Sequence, residues 1–228
     1  MYIPSIILVA LFVIASIIHL YFCWICNEKA RKISKPFTLA LLSPAVILLV
    51  PEYPLIWLFP VFSLLGDISL IFKKKGILFF VLGFVFFYAG HICNLIQLTI
   101  FLFNSDTTIP FVAYLIFAIA LALIIIFIFP ITRKIVGKKA LLANVYMPTL
   151  VLIGIFSLLV TAAYANSYQG LLISLGYIFF VFSDGLLLYA NFIKEVKRHD
   201  FFIMSTYLMA ELLITLGLVM LVLMDVII

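Results

Sequence analysis

Charge is scarce in this sequence. Only 10% of its 228 residues are Asp, Glu, Lys or Arg, against 68% hydrophobic; soluble domains carry about a quarter charged and half apolar. A soluble globule is excluded, because too few polar side chains exist to coat one. Cysteine is scarce as well. Cys23, Cys26 and Cys93 cannot build a disulfide scaffold, and the C-x-x-C spacing of the first two has no second pair to complete a zinc or redox site. At the reducing-side end of an apolar helix, the pair reads as packing. The chain shows no basic leader ahead of its first apolar run, and that run is too long for an h-region, so no secretory signal is expected. A G-x-S-x-G elbow, a Walker loop and an H-E-x-x-H helix are all missing, which removes the commonest serine-hydrolase, nucleotide and metalloprotease readings.

What fills the sequence instead is apolar runs of about 20 residues, long enough to cross a bilayer as helices. The expected fold is all-α: a polytopic membrane helix bundle forming one transmembrane domain over residues 1–228. Eight helices are predicted, over 3–26, 37–50, 54–72, 76–103, 110–130, 140–165, 169–193 and 201–226. The second is the shortest and carries Pro44, which removes a backbone donor and kinks it.

The net charge of +5 does not mark a nucleic-acid binder, because its placement is wrong for one. All fourteen basic residues fall in four clusters: Lys29/Arg31/Lys32/Lys35, Lys73/Lys74/Lys75, Arg133/Lys134/Lys138/Lys139 and Lys194/Lys197/Arg198. They follow predicted helices one, three, five and seven, while the alternate loops (51–53, 104–109, 166–168) hold no Lys or Arg. By the positive-inside rule the basic loops are cytoplasmic and both termini lie outside.

The few acids stand out against this background. Asp67 and Asp184 interrupt long apolar stretches, where a charge costs at least ~2.5 kcal/mol and usually serves function. At ~1.5 Å per residue, Asp67 lies roughly 9 Å from the cytoplasmic end and Asp184 about 15 Å deep. Glu211 reaches a similar depth on the last helix, with Tyr207 one turn shallower, and His91 lies slightly past the middle of the fourth. Lys35 is expected at the cytoplasmic mouth of the second helix. Together these residues suggest a cavity open to the inner leaflet, with the aspartates of helices three and seven facing each other across it. Each has a plainer reading. His91 could be a hydrogen-bonded packing residue, Tyr207 and Glu211 could hold helices together, Ser63 and Ser183 could bond the carbonyl one turn back, and Lys35 could be an orientation anchor.

Zinc needs about three side-chain ligands, and one buried His with a few carboxylates supplies them poorly. A Ser63–His91–Asp triad can be drawn, but no spacing selects it. Paired carboxylic acids in low dielectric fit better, because one can stay protonated while its neighbour is ionised. Such a pair can deliver a proton and then activate water. Val61-Phe62-Ser63 and Val181-Phe182-Ser183 each precede a buried Asp, a faint echo of a parallel four-plus-four repeat.

These segments resemble a known family. Phe62-Ser63-x-x-Gly66-Asp67, followed by Gly83, Phe86 and His91, is similar to the first signature of the YhhN-type lysoplasmalogenases. Gly176, Phe182-Ser183-Asp184 and Asn191-Phe192, then Tyr207-x-x-Ala210-Glu211-Leu212-Leu213-Ile214, resemble the second. Lys35-Pro36 resembles the family's Lys-Pro. The chain departs at Asn94, where the family often has Tyr, at Glu211, where it has Gln, and at Leu152, where a Tyr follows Pro148. These departures bear on substrate preference, and Glu211 adds a third acid.

The resemblance implies hydrolysis of the vinyl ether of a lysophospholipid to a fatty aldehyde and a glycerophospho-headgroup. Asp67, Asp184 and His91 would be catalytic; Lys35, Ser63, Ser183, Asn191, Tyr207 and Glu211 would bind substrate. No metal or organic cofactor is required. The residues alone leave the two Asp roles open; the expectation is the deeper Asp184 as acid and Asp67 as ionised partner, with Lys35 taking the lipid phosphate. Membrane lipids and the lysolipid are the expected partners, and a bacterial plasma membrane is favoured over the endoplasmic reticulum. A reading of another class also stands: a proton-coupled transporter or lipid flippase, with the buried acids as its relay.

Overall fold

The computed structural model describes residues 3–105, 138–164, 168–194 and 196–225, with isolated positions between 111 and 126. Among the described residues lie seven helices long and apolar enough to cross a membrane. They are α1 (Ile3–Trp24), α2 (Glu28–Leu49), α3 (Pro54–Ile71), α4 (Ile77–Asn104), α5 (Lys138–Ala163), α6 (Gln169–Phe192) and α7 (His199–Asp225), with a 3-10 turn at Lys73–Lys75. It is an integral membrane protein, all-helical among the described residues. The helix expected over 110–130 lies outside the described residues, as do Arg133 and Lys134.

The main correction concerns the second helix, which begins at Glu28 rather than at 37. The Asn27 side chain accepts the Ala30 N–H at 3.1 Å, capping one of the donors a helix start leaves open. Glu28 then places a carboxylate in the first turn, where the helix dipole favours it. Pro36 and Pro44 both lie inside the helix. Each removes one backbone bond without ending it, so a residue before proline is not a helix boundary here. The first basic cluster is therefore the opening turns of a helix and not a loop.

The Cys23-x-x-Cys26 pair is split by the same corner. Cys23 is buried on α1, while Cys26 is exposed at φ 56°, the left-handed conformation that closes helices.

The chain packs as two compact units, Met1–Ile96 and Gln97–Ile228, with the division falling within α4. In the first, α2 packs on α1 and α3. In the second, α6 packs on α5 and α7. Glycines set how closely the second unit's helices approach. A Cβ on Gly176 would stand 2.6 Å from Ile214 Cγ1, 3.0 Å from its N and 3.1 Å from Ala210 O; on Gly217, 2.6 Å from Ile173 Cγ1 and 2.7 Å from Gln169 O. Backbone atoms cannot rotate away as side chains do. Gly176→Val is expected to destabilise the protein by roughly 1–3 kcal/mol through overpacking, read as a lower melting temperature in detergent. An unchanged melting temperature would mean that α6 and α7 separate freely.

Candidate active site

In the first unit, Asp67 is fully buried on α3. The Lys35 Nζ from α2 lies 2.9 Å from its Oδ1, and the side chains are 18% and 1% exposed, Lys35 first. Lys35 thus sits two turns inside α2 and reaches a buried carboxylate, whereas the sequence suggested a residue at the helix mouth.

The α3–α4 seam explains the glycines and aromatics around this acid. A Cβ on Gly66 would meet the Phe87 ring at 2.9 Å, one on Gly83 would meet Leu70 at 2.8 Å, and one on Gly90 the Phe59 carbonyl at 3.2 Å. Phe62 and Phe86 stack with ring centroids 6.5 Å apart. Close approach of the backbones is what positions His91, which is fully buried with its ring 5.4 Å from that of Phe59.

Ser63, one turn before Asp67, is fully buried as well. Its hydroxyl makes no bond to the preceding turn and finds no hydrogen-bond partner among the described residues. The expected back-bond is absent, and a buried hydroxyl without a partner costs roughly 1–3 kcal/mol.

In the second unit, Asp184 on α6 is buried, and its Oδ2 accepts the Tyr146 hydroxyl of α5 at 2.6 Å. Tyr177 and Glu211 lie close enough to Tyr146 to act electrostatically on its hydroxyl. Glu211 is fully buried on α7. Tyr207, one turn away, is also buried, with its ring edge-on to Phe180 at 5.6 Å. Ser183 again makes no bond to its own preceding turn; it donates to the Ile203 carbonyl on α7 at 3.0 Å. Ser63 and Ser183 therefore play different parts despite their matching sequence contexts. Asn191 lies on α6, but its side chain is outside the described ones.

Two residues escaped the sequence reading. Tyr146 stands in an apolar helix two residues before Pro148, and only the folded chain brings it to Asp184. His19 is fully buried on α1, so His91 is not the sole histidine of the interior. Its Nδ1 lies 2.7 Å from Ser34 Oγ and its Nε2 3.5 Å from Cys23 Sγ. The visible signal was the His19/Cys23 spacing, which puts both on one helix face. Among the described residues, no group of three or more His, Cys, Asp and Glu side chains is gathered to hold a metal ion.

The sequence model of the YhhN family matches residues 30–218. The chain belongs to the YhhN family. No curated protein and no solved structure matches it. The YhhN match takes in Lys35, Asp67, His91, Tyr146, Asp184 and Glu211, while His19 and Cys23 fall before it. Within the matched span, Gly66, Gly83 and Phe86 are seam residues that fix the α3–α4 approach, and Gly176 does the same for α6 and α7.

Proposed function

We propose that this YhhN protein is a lysoplasmalogenase-like intramembrane hydrolase. It cleaves the vinyl ether of an alkenyl-glycerophospholipid, the choline or ethanolamine form, to a fatty aldehyde and the glycerophospho-headgroup. Family membership is consistent with this role. The observation that carries the reading is that two buried aspartates are each met by a side chain of a different kind: an ammonium for Asp67 and a phenol for Asp184.

Those partners suit two different tasks. An ammonium at 2.9 Å favours an ionised Asp67, ready to stabilise a cation and take a proton from water. A hydroxyl donated to Asp184 Oδ2 brings no full positive charge, so burial can keep this carboxyl protonated as an acid. Asp184 then protonates the β-carbon of the vinyl ether, which becomes an oxocarbenium ion. Water adds, loses its proton to a carboxylate, and the hemiacetal collapses to the aldehyde and the free alcohol. His91 orients an acid or relays the proton. We infer a single transmembrane domain with both termini outside, in a bacterial plasma membrane.

Purified protein in detergent is expected to release aldehyde from 1-alkenyl lysophospholipid and none from the saturated 1-alkyl ether, which has no double bond to protonate. In D2O the aldehyde should carry one deuterium at carbon 2, read by mass spectrometry, because that carbon receives the catalytic proton. Absence of aldehyde would overturn the hydrolase reading. Uptake of substrate into sealed vesicles, driven by a pH gradient without product, would replace it with a transporter.

A further inference from the structure

The corner between α1 and α2 holds a group of side chains that the proposed hydrolysis does not use. Its backbone closes α1 with the two hydrogen bonds of a Schellman motif. Asn27 N–H donates to the Phe22 carbonyl at 3.1 Å, and Cys26 N–H to the Cys23 carbonyl at 3.2 Å. The second bond makes Cys23 and Cys26 the two ends of one turn, whose Cα atoms stand within about 7 Å. A disulfide spans about 4.4–6.8 Å between Cα atoms. The corner therefore parts the pair in exposure and keeps it together in space. Cys26 fills, at φ 56°, the left-handed position that glycine usually takes in such a cap, so a side chain is held there against a steric cost. Its thiol turns back over the end of α1, donating to the Trp24 carbonyl at 3.8 Å.

Cys23 has a neighbour that packing alone does not require. The Ser34 hydroxyl donates to the Arg31 carbonyl at 3.3 Å, so its oxygen accepts the His19 Nδ1–H at 2.7 Å. That assigns the tautomer: Nε2 carries the lone pair and, 3.5 Å from Cys23 Sγ, accepts its S–H. A thiol, a base and the group that orients the base thus stand in line, the arrangement that activates a nucleophile. Cys23 and His19 are both buried. A buried thiol is a poor standing thiolate, so its proton must leave as the new bond forms. Nε2 is placed to take it. Cys26, by contrast, is exposed and open to a water-borne reagent.

We propose that Cys23 and Cys26 form a redox-active dithiol, oxidised by a hydroperoxide and closed to a disulfide with His19 as base. The exposed thiol reacts first. The terminal OH of the hydroperoxide passes to Cys26 sulfur, which is oxidised by two electrons to the sulfenic acid. The O–O bond breaks, and the remaining oxygen leaves with the thiol proton as an alcohol, or as water from hydrogen peroxide. Cys23 sulfur then attacks Cys26 sulfur. The S–S bond forms, the S–OH bond breaks, and the Cys23 proton passes through His19 Nε2 to the departing hydroxide, which leaves as water. Composition alone reads Cys23-x-x-Cys26 as packing for want of a second pair; a dithiol needs only a base and a neighbour within reach. The site is independent of the hydrolase reading.

The test uses reduced, full-length protein in detergent, treated with hydrogen peroxide, then alkylated and mapped by peptide mass spectrometry. Wild type is expected to give a Cys23–Cys26 disulfide, while Cys93, half-buried on α4, stays open to alkylation. In Cys23→Ser the reaction should stop at a Cys26 sulfenic acid, which dimedone traps. His19→Gln should slow disulfide closure by at least about tenfold, because a positioned base is lost. Combined with Cys23→Ser, it should leave the rate of sulfenic acid formation at Cys26 unchanged; a merely structural loss at the corner would move both rates. Wild type that keeps Cys23 open to alkylation after peroxide, or that oxidises Cys93 as fast as Cys26, overturns the dithiol. Closure at the wild-type rate in His19→Gln overturns the part given to His19.

Discussion

Asp184→Asn should leave the protein folded and stop aldehyde release. The amide oxygen of Asn can still accept the Tyr146 hydroxyl that Asp184 Oδ2 accepts at 2.6 Å, so the α5–α6 link survives. The NH2 group occupies the place of the acidic O–H but cannot give its proton to carbon. Loss of a positioned acid typically costs 10²–10⁴-fold in rate, and a fall of at least ~10²-fold in kcat is expected here. The melting temperature should change little. Wild-type turnover by Asp184→Asn would remove this residue from the acid role. Tyr146→Phe supplies the internal comparison, since it removes the hydroxyl and keeps the carboxyl; its rate should fall less than that of Asp184→Asn.

Lys35→Met, by contrast, should damage the fold. Its ammonium pairs with a carboxylate whose side chain is 1% exposed. Removing one partner of a buried pair deprives the other charge of its counter-ion, typically at a cost of ~3–5 kcal/mol. The same reasoning applies to Asp67→Asn, which strands the lysine. Combining Lys35→Met with Asp67→Asn removes both charges and should recover most of the lost stability without recovering activity. Thermal or denaturant unfolding in detergent reads the cycle, and the coupling term is the deciding quantity. If the single variants are as stable as wild type, water reaches the pair and the carboxylate is not held in the desolvated state that the proposed chemistry needs.

The sequence exposed some of this and hid the rest for physical reasons. Helices α3, α4, α6 and α7 lie within two residues of their predicted bounds, because Pro54, Gly76 and the basic clusters punctuate the apolar runs at their ends. The start of α2 at Glu28 is hidden because its first turns are basic and a proline follows; charged side chains on an interfacial helical turn resemble a loop in composition. Asp67 and Asp184 announced themselves as acids among apolar residues. Their partners did not, since Lys35 looked like an orientation anchor and Tyr146 like one more aromatic. Partnership across helices depends on which faces meet, and periodicity within one helix carries no such information. Ser63 and Ser183 make the point from the other side: near-identical local sequence, yet one hydroxyl bonds a neighbouring helix and the other is kept without a partner among the described residues.

The glycine contacts between α6 and α7 also bear on how a greasy substrate arrives. At Gly176 and Gly217 a single methyl group would already collide with main-chain atoms of the facing helix. A hydrocarbon tail is a string of such groups, so it cannot slip through that seam from the surrounding lipid. In the proposed hydrolase, the alkenyl chain therefore enters along some other pair of helices.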